Sequence, residues 1–213
     1  MSTHEQIYTA VLEGNAEAAR KGVEAMLATN ADPETLLHKA LIPAMEEVGR
    51  RFECQEYYVP EMLIAARAMQ AGLNVLRPLL AAQGAQPFGR AVLGTVQGDL
   101  HDIGKNLVGM MLEGAGFEVT DLGTDVPAAK FVEAAGKGAD LLAMSALLTT
   151  TMTKMPGVIQ ALEQAGLRGK VKVMVGGAPL TEDFAHKIGA DGYAPDASQA
   201  VALAKRLLDA ASR

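Results

Sequence analysis

The pattern of apolar and polar positions changes once along the chain, near residue 85. Before that point, apolar residues recur at helical spacing in four segments. Gly14-Asn15 is typical of a break between the first two segments, and Asp32-Pro33 is typical of a helix start. The fourth segment covers about 60–80 and is apolar on a broad face. Because such stripes need burial, residues 1–85 predict a four-helix bundle.

After a linker predicted at 81–90, short apolar runs alternate with helical patterns. The predicted strands are 91–96, 117–121, 140–145, 172–176 and 192–194, and the predicted helices are 104–115, 127–137, 152–166, 181–188 and 197–211. Alternation of this kind is typical of a doubly wound parallel sheet with right-handed crossovers. We therefore expect an α/β domain with a five-stranded sheet over residues 90–213.

Three polar or glycine-rich turns fall at one edge of this predicted sheet. GDLHDIG follows the first strand, SALLTTT follows the third, and GGAPLT follows the fourth. Ligands of open parallel sheets bind beyond the carboxyl ends of the strands. The sequence therefore predicts a binding site where these three turns meet.

Composition narrows the class of function. The formal net charge is −6, whereas a nucleic-acid-binding protein normally has a basic face. Cys54 is the single cysteine, so we expect neither a disulfide framework nor a cysteine metal cluster. The first residues are polar and acidic, unlike a signal peptide, and no apolar run reaches the roughly 18 residues of a membrane span. We expect a cytoplasmic protein that binds neither nucleic acid nor membranes.

The turn VQGDLHDIGKNLVG (96–109) contains Asp99, His101 and Asp102. In the simplest interpretation Asp99 or Asp102 caps the following helix, and His101 and Lys105 are exposed. A phosphate-binding turn is an alternative, but it lacks the phosphate-loop motifs and contains two acids. A receiver-type phosphoacceptor is another, although it needs an acid where Ser145 stands. A zinc site needs further His or Cys ligands, which this stretch does not supply.

One hypothesis uses all of these side chains. A metal-ligating histidine usually donates its other ring N–H to a carboxylate, which Asp99 can provide for His101. A hydroxyl from the neighbouring strand end, such as that of Ser145, can orient Asp99 in turn. A single protein ligand is enough when the metal arrives in a macrocycle that fills its equatorial positions.

These residues resemble a known signature. D-L-H-D-I-G (99–104), S-A-L (145–147) and G-G (176–177) are similar to the D-x-H-x-x-G, S-x-L and G-G motifs of the cobalamin-binding, flavodoxin-like (Rossmann-like) domain. Residues 48–69 resemble the helical cap that precedes this domain in methionine synthase. The whole chain resembles the small corrinoid proteins of methylamine, methanol, betaine and methoxyaromatic methyltransferase systems. The resemblance implies that cobalamin, as methylcobalamin or cob(I)alamin, or a related corrinoid is the cofactor.

The resemblance also implies roles for single residues. His101 would be the lower axial ligand to cobalt, Asp99 would hydrogen-bond to it, and Ser145 would complete that relay. Tyr58 and Met62 would cover the upper face of the corrin. The remaining residues expected at the cofactor lie on the three turns and the elements beside them: Gly98, Leu100, Asp102, Ile103, Gly104, Val108, Leu147, Thr149, Gly176, Gly177 and Ala197.

The function implied is that of a carrier subunit in one-carbon metabolism, without an active site for its own substrate. Such a carrier accepts a methyl group on Co(I) from a substrate-specific methyltransferase. It then donates the group from methyl-Co(III) to an acceptor methyltransferase that uses tetrahydrofolate or a thiol. A reductive activase is a further expected partner. The alternatives are a cobalamin-dependent sensor or regulatory module, a mutase subunit, and a flavodoxin-like domain without cobalamin.

Overall fold

The computed structural model describes residues 3–211, which form two compact units. One unit comprises the residues up to Pro87 together with Glu113–Gly116, and the other comprises Phe88–Leu112 and the residues from Phe117 onward. The chain first passes from one unit to the other within the predicted linker. The bounds of folding domains at 1–85 and 90–213 stay a prediction.

The first unit is built from helices. Its elements are α1 (His4–Leu12), α2 (Ala16–Leu27), α3 (Pro33–Leu36), a π-helical turn (Leu37–Leu41), α4 (Ile42–Glu53) and α5 (Val59–Gln83). The π-helical turn joins α3 to α4 without a break, so the described part of this unit contains four helical segments, as the apolar pattern predicts. Pro43 stands in the first turn of α4 and has no N–H to donate, which accounts for an irregular turn directly before it.

The predicted helix boundaries in this unit are close to the observed ones. The side chain of Asn15 accepts a hydrogen bond from the Ala18 N–H at 3.0 Å, and that of Asp32 accepts from the Thr35 N–H at 2.8 Å, so both helix starts are capped. The linker was predicted too long, because α5 continues to Gln83 and ends at Gly84 in the left-handed conformation. None of the helices described between residues 3 and 211 has the length and apolar character needed to cross a membrane.

The second unit alternates strands with helices and confirms the predicted α/β class. Its elements are β1 (Arg90–Thr95), α6 (Ile103–Gly114), β2 (Glu118–Asp121), α7 (Ala128–Ala135), β3 (Leu141–Ser145), α8 (Thr149–Met152), α9 (Met155–Gln164), β4 (Lys172–Gly176), α10 (Glu182–Lys187), β5 (Gly192–Ala194) and α11 (Ala197–Ala211). Where one helix was predicted at 152–166, the chain forms two: α8, which begins earlier, at Thr149, and α9. Pro156, at the start of α9, cannot donate to the carbonyl of Met152 and clashes with it, which prevents one continuous helix.

The five strands of this unit form one parallel sheet in the order β2-β1-β3-β4-β5. This order is that of the flavodoxin-like doubly wound sheet. The central strands are apolar runs because both faces are covered; Leu141 and Leu142 of β3, for example, have no exposed surface. β1 and β3 lie side by side, with Thr95 opposite Ser145 at their carboxyl ends. The strand order reverses at this pair, which is where a crevice for a ligand opens.

Candidate functional site

The turn after β1 brings a buried acid and an exposed histidine together. Asp99 has no exposed surface, whereas the side chain of His101 is 52% exposed. The ring nitrogen Nδ1 of His101 lies 2.7 Å from Oδ1 of Asp99, and the backbone N–H of His101 donates to the same oxygen at 3.0 Å. The hydroxyl of Thr95, at the end of β1, donates to the carbonyl of His101 at 2.9 Å. The predicted contact between Asp99 and His101 is therefore present.

The partner of Nδ1 decides which ring nitrogen carries the proton. An ionised carboxylate only accepts hydrogen bonds, so Nδ1 is the donor. In the neutral ring the lone pair then lies on Nε2, which has no hydrogen-bond partner among residues 3–211. His101 thus presents a ligating nitrogen to solvent, with the opposite side of the ring held by a carboxylate, as is usual for metal-ligating histidines.

The second oxygen of Asp99 is held by the segment after β3. Oδ2 accepts the Leu147 N–H at 2.8 Å and the Thr151 hydroxyl at 2.6 Å. Burial by itself raises the pKa of Asp99. The hydrogen bonds from Thr151, Leu147 and His101 outweigh this effect and hold the pKa of the Asp99 carboxyl well below its ordinary value. Asp99 is therefore a fixed negative charge behind His101.

Ser145 does not complete this relay, which corrects the prediction. Among the described residues, the donors to Asp99 are His101, Leu147 and Thr151, and Ser145 is not one of them. Thr151 lies in α8 and is 6% exposed. The sequence offered Thr151 as a candidate through the T-T-T run of the turn SALLTTT. Because this run lies close to Ser145 in the chain, the sequence alone does not show which hydroxyl points towards Asp99.

The neighbouring turns present apolar side chains to solvent. Leu100, Ile103, Leu147 and Leu148 are between 43% and 73% exposed, although large apolar residues of this domain are otherwise mostly buried. All four follow β1 or β3 directly and so share the carboxyl edge of the sheet with His101. Clusters of exposed apolar residues mark surfaces that bind a ligand or a partner.

This arrangement fits a metal that brings its own equatorial ligands. Within residues 3–211, no three His, Cys, Asp or Glu side chains are close enough to hold a metal ion together. His101 can still supply one axial nitrogen to a metal that a macrocycle already surrounds. The exposed leucine and isoleucine side chains around it suit the broad, largely apolar face of such a ring.

Two glycines of the predicted site are required for different reasons. Gly98 precedes Asp99 with a φ of 85°, which a residue with a side chain rarely adopts. Gly177 follows β4 with a φ of 133°, and a Cβ atom there would lie 1.9 Å from the carbonyl oxygen of Ala146. Gly104, by contrast, has no atom within 4 Å of the position of a Cβ, so space is open beside the first turn of α6.

The other predicted contacts in this unit are distributed around the same edge. Asp102 directly precedes α6, and its carboxylate accepts a hydrogen bond from the side-chain amide of Asn106 at 3.0 Å. Thr149 is exposed at the start of α8, and Gly176 ends β4. Val108 is half-buried in α6, and Ala197 is buried at the start of α11. The contacts of these residues with a cofactor stay predictions.

Two predicted residues in the helical unit differ in exposure. Tyr58 is 63% exposed directly before α5, and its role towards the cofactor stays a prediction. Met62 has no exposed surface, because it lies on the buried face of α5. The role of Met62 towards the cofactor also stays a prediction.

Lys105 is buried, and the expectation that it is exposed was wrong. Its residue exposure is 4%. Nζ donates to Oδ1 of Asn106 at 2.6 Å and forms an ion pair with Asp121 at the end of β2. A lysine is buried only when its charge is paired, so the first turn of α6 is fixed to the end of β2.

Two known protein families together match nearly the whole chain. Residues 89–202 match a family described as the B12 binding domain, and residues 3–77 match a second family with the same description. The dimethylamine corrinoid protein of Methanosarcina barkeri is 50% identical over 180 residues, which are 83% of this chain and 84% of that protein. Trimethylamine corrinoid protein 1 of Methanosarcina mazei is 43% identical over 202 residues, covering 93% of this chain and 94% of that protein.

Solved structures agree with these matches. A structure of the methanol:cobalamin methyltransferase complex from Methanosarcina barkeri has a TM-score of 0.86 at 30% identity, covering 97% of this chain and 79% of that chain. A cobalamin-binding protein from Desulfitobacterium hafniense has a TM-score of 0.79 at 31% identity, covering 97% of this chain and 99% of that chain. This chain therefore belongs to the B12-binding corrinoid proteins, and its cofactor is a corrinoid.

Proposed function

We propose that this protein is a methyl carrier that shuttles between two methyltransferases. The observation that carries the proposal is the Asp99–His101 pair at the reversal point of the sheet, with the Nε2 lone pair of His101 unpartnered and surrounded by exposed apolar side chains. A carboxylate on Nδ1 is found behind general-base histidines as well as metal-ligating ones. The apolar surroundings and the match to the B12 binding domain favour a metal ligand here.

When bound, the corrinoid would supply a cobalt that can accept a methyl group as Co(I) and pass it to an acceptor, for which we propose tetrahydrofolate or a thiol. The chain's own contribution is to hold and orient His101 through Asp99. Because Asp99 is buried and accepts four hydrogen bonds, its charge stays in place whether or not His101 ligates cobalt. Asp99 would therefore hold the ring of His101 in the same orientation with and without a bound cobalt.

We further propose a methylamine methyltransferase as the substrate-specific partner. The relatives named for dimethylamine and trimethylamine are 50% and 43% identical to this chain, whereas the likeness to the methanol complex is at 30% identity. The acceptor methyltransferase and a reductive activase, which returns oxidised cobalt to Co(I), complete the proposed set of partners.

The first experiment tests the corrinoid site. The full chain is reconstituted with hydroxocobalamin, freed of excess cofactor and examined for bound corrinoid and for its absorption spectrum. We expect one bound corrinoid per chain. The His101→Ala variant should have an absorption spectrum that differs from that of the unaltered protein, because the axial ligand of cobalt is changed. His186→Ala, at an exposed histidine of α10, is the matched control and should behave like the unaltered protein. Equal spectra for the His101 and His186 variants would contradict the assignment of His101.

The second experiment tests methyl transfer. The loaded protein, reduced to Co(I), is mixed with methyltransferases for monomethylamine, dimethylamine, trimethylamine or methanol, each with its substrate. We expect rapid methylation of cobalt with one of the methylamine enzymes and much slower methylation with the methanol enzyme. Equal and slow methylation with all four enzymes would overturn the carrier function and favour a sensor that binds corrinoid without passing on a methyl group.

A further inference from the structure

Asp125, in the loop between β2 and α7, makes two hydrogen bonds with the turn that carries His101. Its Oδ1 atom accepts the Gly98 N–H at 2.7 Å, and its own backbone N–H donates to the carbonyl of Asp99 at 2.9 Å. The two bonds fall on either side of the peptide that joins Gly98 to Asp99. They therefore fix both the position and the tilt of the backbone from which the Asp99 side chain emerges.

The conformation of Asp125 is an uncommon one. Its φ is 53°, in the left-handed region, where aspartate and asparagine are tolerated better than most residues. This conformation aligns the side-chain acceptor and the backbone donor of Asp125 on the same partner segment. Such a strained residue persists only where surrounding contacts hold it in place.

The loop that contains Asp125 is itself attached to β1. The Val126 N–H donates to the carbonyl of Thr95 at 2.9 Å, and the Thr95 N–H donates to the carbonyl of Gly123 at 3.0 Å. The Thr95 hydroxyl, in turn, binds the carbonyl of His101. Asp125 thus acts from a rigid support and not from a free loop.

We infer that Asp125 is a positioning residue for the axial ligand: it aligns Asp99 so that Asp99 can hold the His101 ring with Nε2 free. The inference rests on the proposed function only where it concerns cobalt, because the alignment of Asp99 and His101 exists in the protein without cofactor. Asp125 does not touch the His101 ring and acts only through the backbone of Gly98 and Asp99.

The chain contains a matched control for this role. Asp140 makes a comparable pair of bonds, both with a single residue, Arg90: its Oδ2 atom accepts the Arg90 N–H at 2.8 Å, and its N–H donates to the Arg90 carbonyl at 2.9 Å. Asp140 directly precedes β3 and Arg90 begins β1, so this pair lies at the amino edge of the sheet, opposite to His101. We expect loss of the Asp140 bond to cost comparable stability without altering the turn that carries His101.

The test uses four variants of the full chain. Asp125→Gly keeps the backbone donor and tolerates the positive φ but lacks the acceptor, whereas Asp125→Asn keeps both an acceptor oxygen and the tolerance. Asp140→Ala and Asp140→Asn are the corresponding controls. Alanine serves at position 140 because that residue is outside the left-handed region.

The first readout needs no cofactor. Amide hydrogen exchange of Gly98 reports whether the turn is held in place. The ¹⁵N chemical shifts of the His101 ring report which nitrogen carries the proton. In the unaltered protein the Gly98 amide should be protected although Gly98 is exposed. In Asp125→Gly we expect amide exchange of Gly98 to become about five- to tenfold faster, which corresponds to the free energy of one hydrogen bond. We also expect a smaller fraction of the His101 rings to carry the proton on Nδ1. Unprotected exchange of Gly98 in the unaltered protein would overturn the inference.

The second readout uses protein loaded with cobalamin and reduced to Co(II). Electron paramagnetic resonance of ¹⁵N-labelled protein distinguishes a histidine nitrogen on cobalt from the unlabelled base of the cofactor. We expect Asp125→Gly to bind corrinoid stoichiometrically but with a ratio of His-ligated to unligated cobalt lower by about fivefold. Asp125→Asn should restore most of the ligation, and both Asp140 variants should ligate as the unaltered protein does.

The possible results separate the two proposals. If the unaltered chain binds no corrinoid, the proposed function fails, and the tautomer and exchange data alone decide the role of Asp125. If corrinoid binds and Asp125→Gly ligates normally, or if Asp140→Ala weakens ligation equally, Asp125 is merely structural and the inference is wrong.

Discussion

The hydroxyl of Thr151 lies 2.6 Å from Oδ2 of Asp99, and both residues are buried. The two residues are 52 positions apart in the chain, and the bond joins the segment after β3 to the turn after β1. The hydroxyl also lies 3.0 Å from the Leu148 carbonyl, but it has one proton, and the shorter contact to a charged acceptor is the stronger bond. Thr151 therefore supports His101 indirectly, through Asp99.

Replacing Thr151 by valine should weaken this support. Thr151→Val keeps the shape of the side chain but leaves Asp99 with one donor fewer in a buried site, so we expect the free energy of unfolding to fall by about 1–3 kcal/mol. Urea unfolding of the cofactor-free chain measures this change. Thr151→Ser, which keeps the hydroxyl, should lose clearly less. Ser145→Ala should change the stability less than Thr151→Val, and the reverse order would restore Ser145 to the relay.

The stability that Asp99 contributes should depend on pH. Because the pKa of Asp99 is lower in the folded chain than the ordinary value of about 3.9, its contribution is complete above about pH 4 and is lost as the pH falls further. We expect Asp99→Asn to be about 2 kcal/mol less stable at pH 7, with the difference shrinking below pH 4. Urea unfolding at a series of pH values tests this; a difference that does not change down to pH 2.5 speaks against an ionised, hydrogen-bonded Asp99.

Two glycine substitutions should separate folding from cofactor binding. Gly177→Ala should cost about 3 kcal/mol or more, because its Cβ would collide with the Ala146 carbonyl and its φ is positive. Gly104→Ala should leave the cofactor-free chain equally stable or more stable by up to about 1 kcal/mol, because it lies in a helix with open space around it. If Gly104 borders the corrinoid, the same change weakens cofactor binding, measured by titration with hydroxocobalamin. Unchanged affinity would remove Gly104 from the site.

The helical unit should lose stability in acid through Glu47. Hydrogen bonds from Arg50 and Arg51 lower the pKa of Glu47 to about 2. Its contribution is therefore complete above about pH 4.3 and is lost as the pH falls towards 2. Since Arg50 is half exposed, Glu47→Gln should cost at most about 1 kcal/mol at pH 7, and less in high salt. Thermal unfolding at pH 7 and pH 3 checks this, with Glu17→Gln, from the exposed pair with Lys21, as a control that should change less.

Most of the secondary structure could be predicted because it depends on the local pattern of apolar and polar residues. Apolar residues buried on both faces of a parallel sheet form runs, and helices carry apolar stripes, so strands such as 172–176 and 192–194 were predicted at their observed bounds. The order of elements predicts a parallel sheet. A parallel sheet places the turns after β1, β3 and β4 at one edge, which is why the sequence by itself predicts a candidate site there. The contact between Asp99 and His101 was equally accessible, since it spans two residues.

The tertiary structure decided which distant groups complete that contact. The hydroxyls of Ser145 and Thr151 are six positions apart, and the phase at which α8 starts determines which of them turns towards Asp99. The burial of Lys105 depends on the end of β2, sixteen residues away, which no local pattern reports. Asp125 reaches Gly98 across 27 residues for the same reason. By itself the sequence determined the elements, the sheet edge and the histidine with its acid. The packing of separate loops against each other decided how that acid is held.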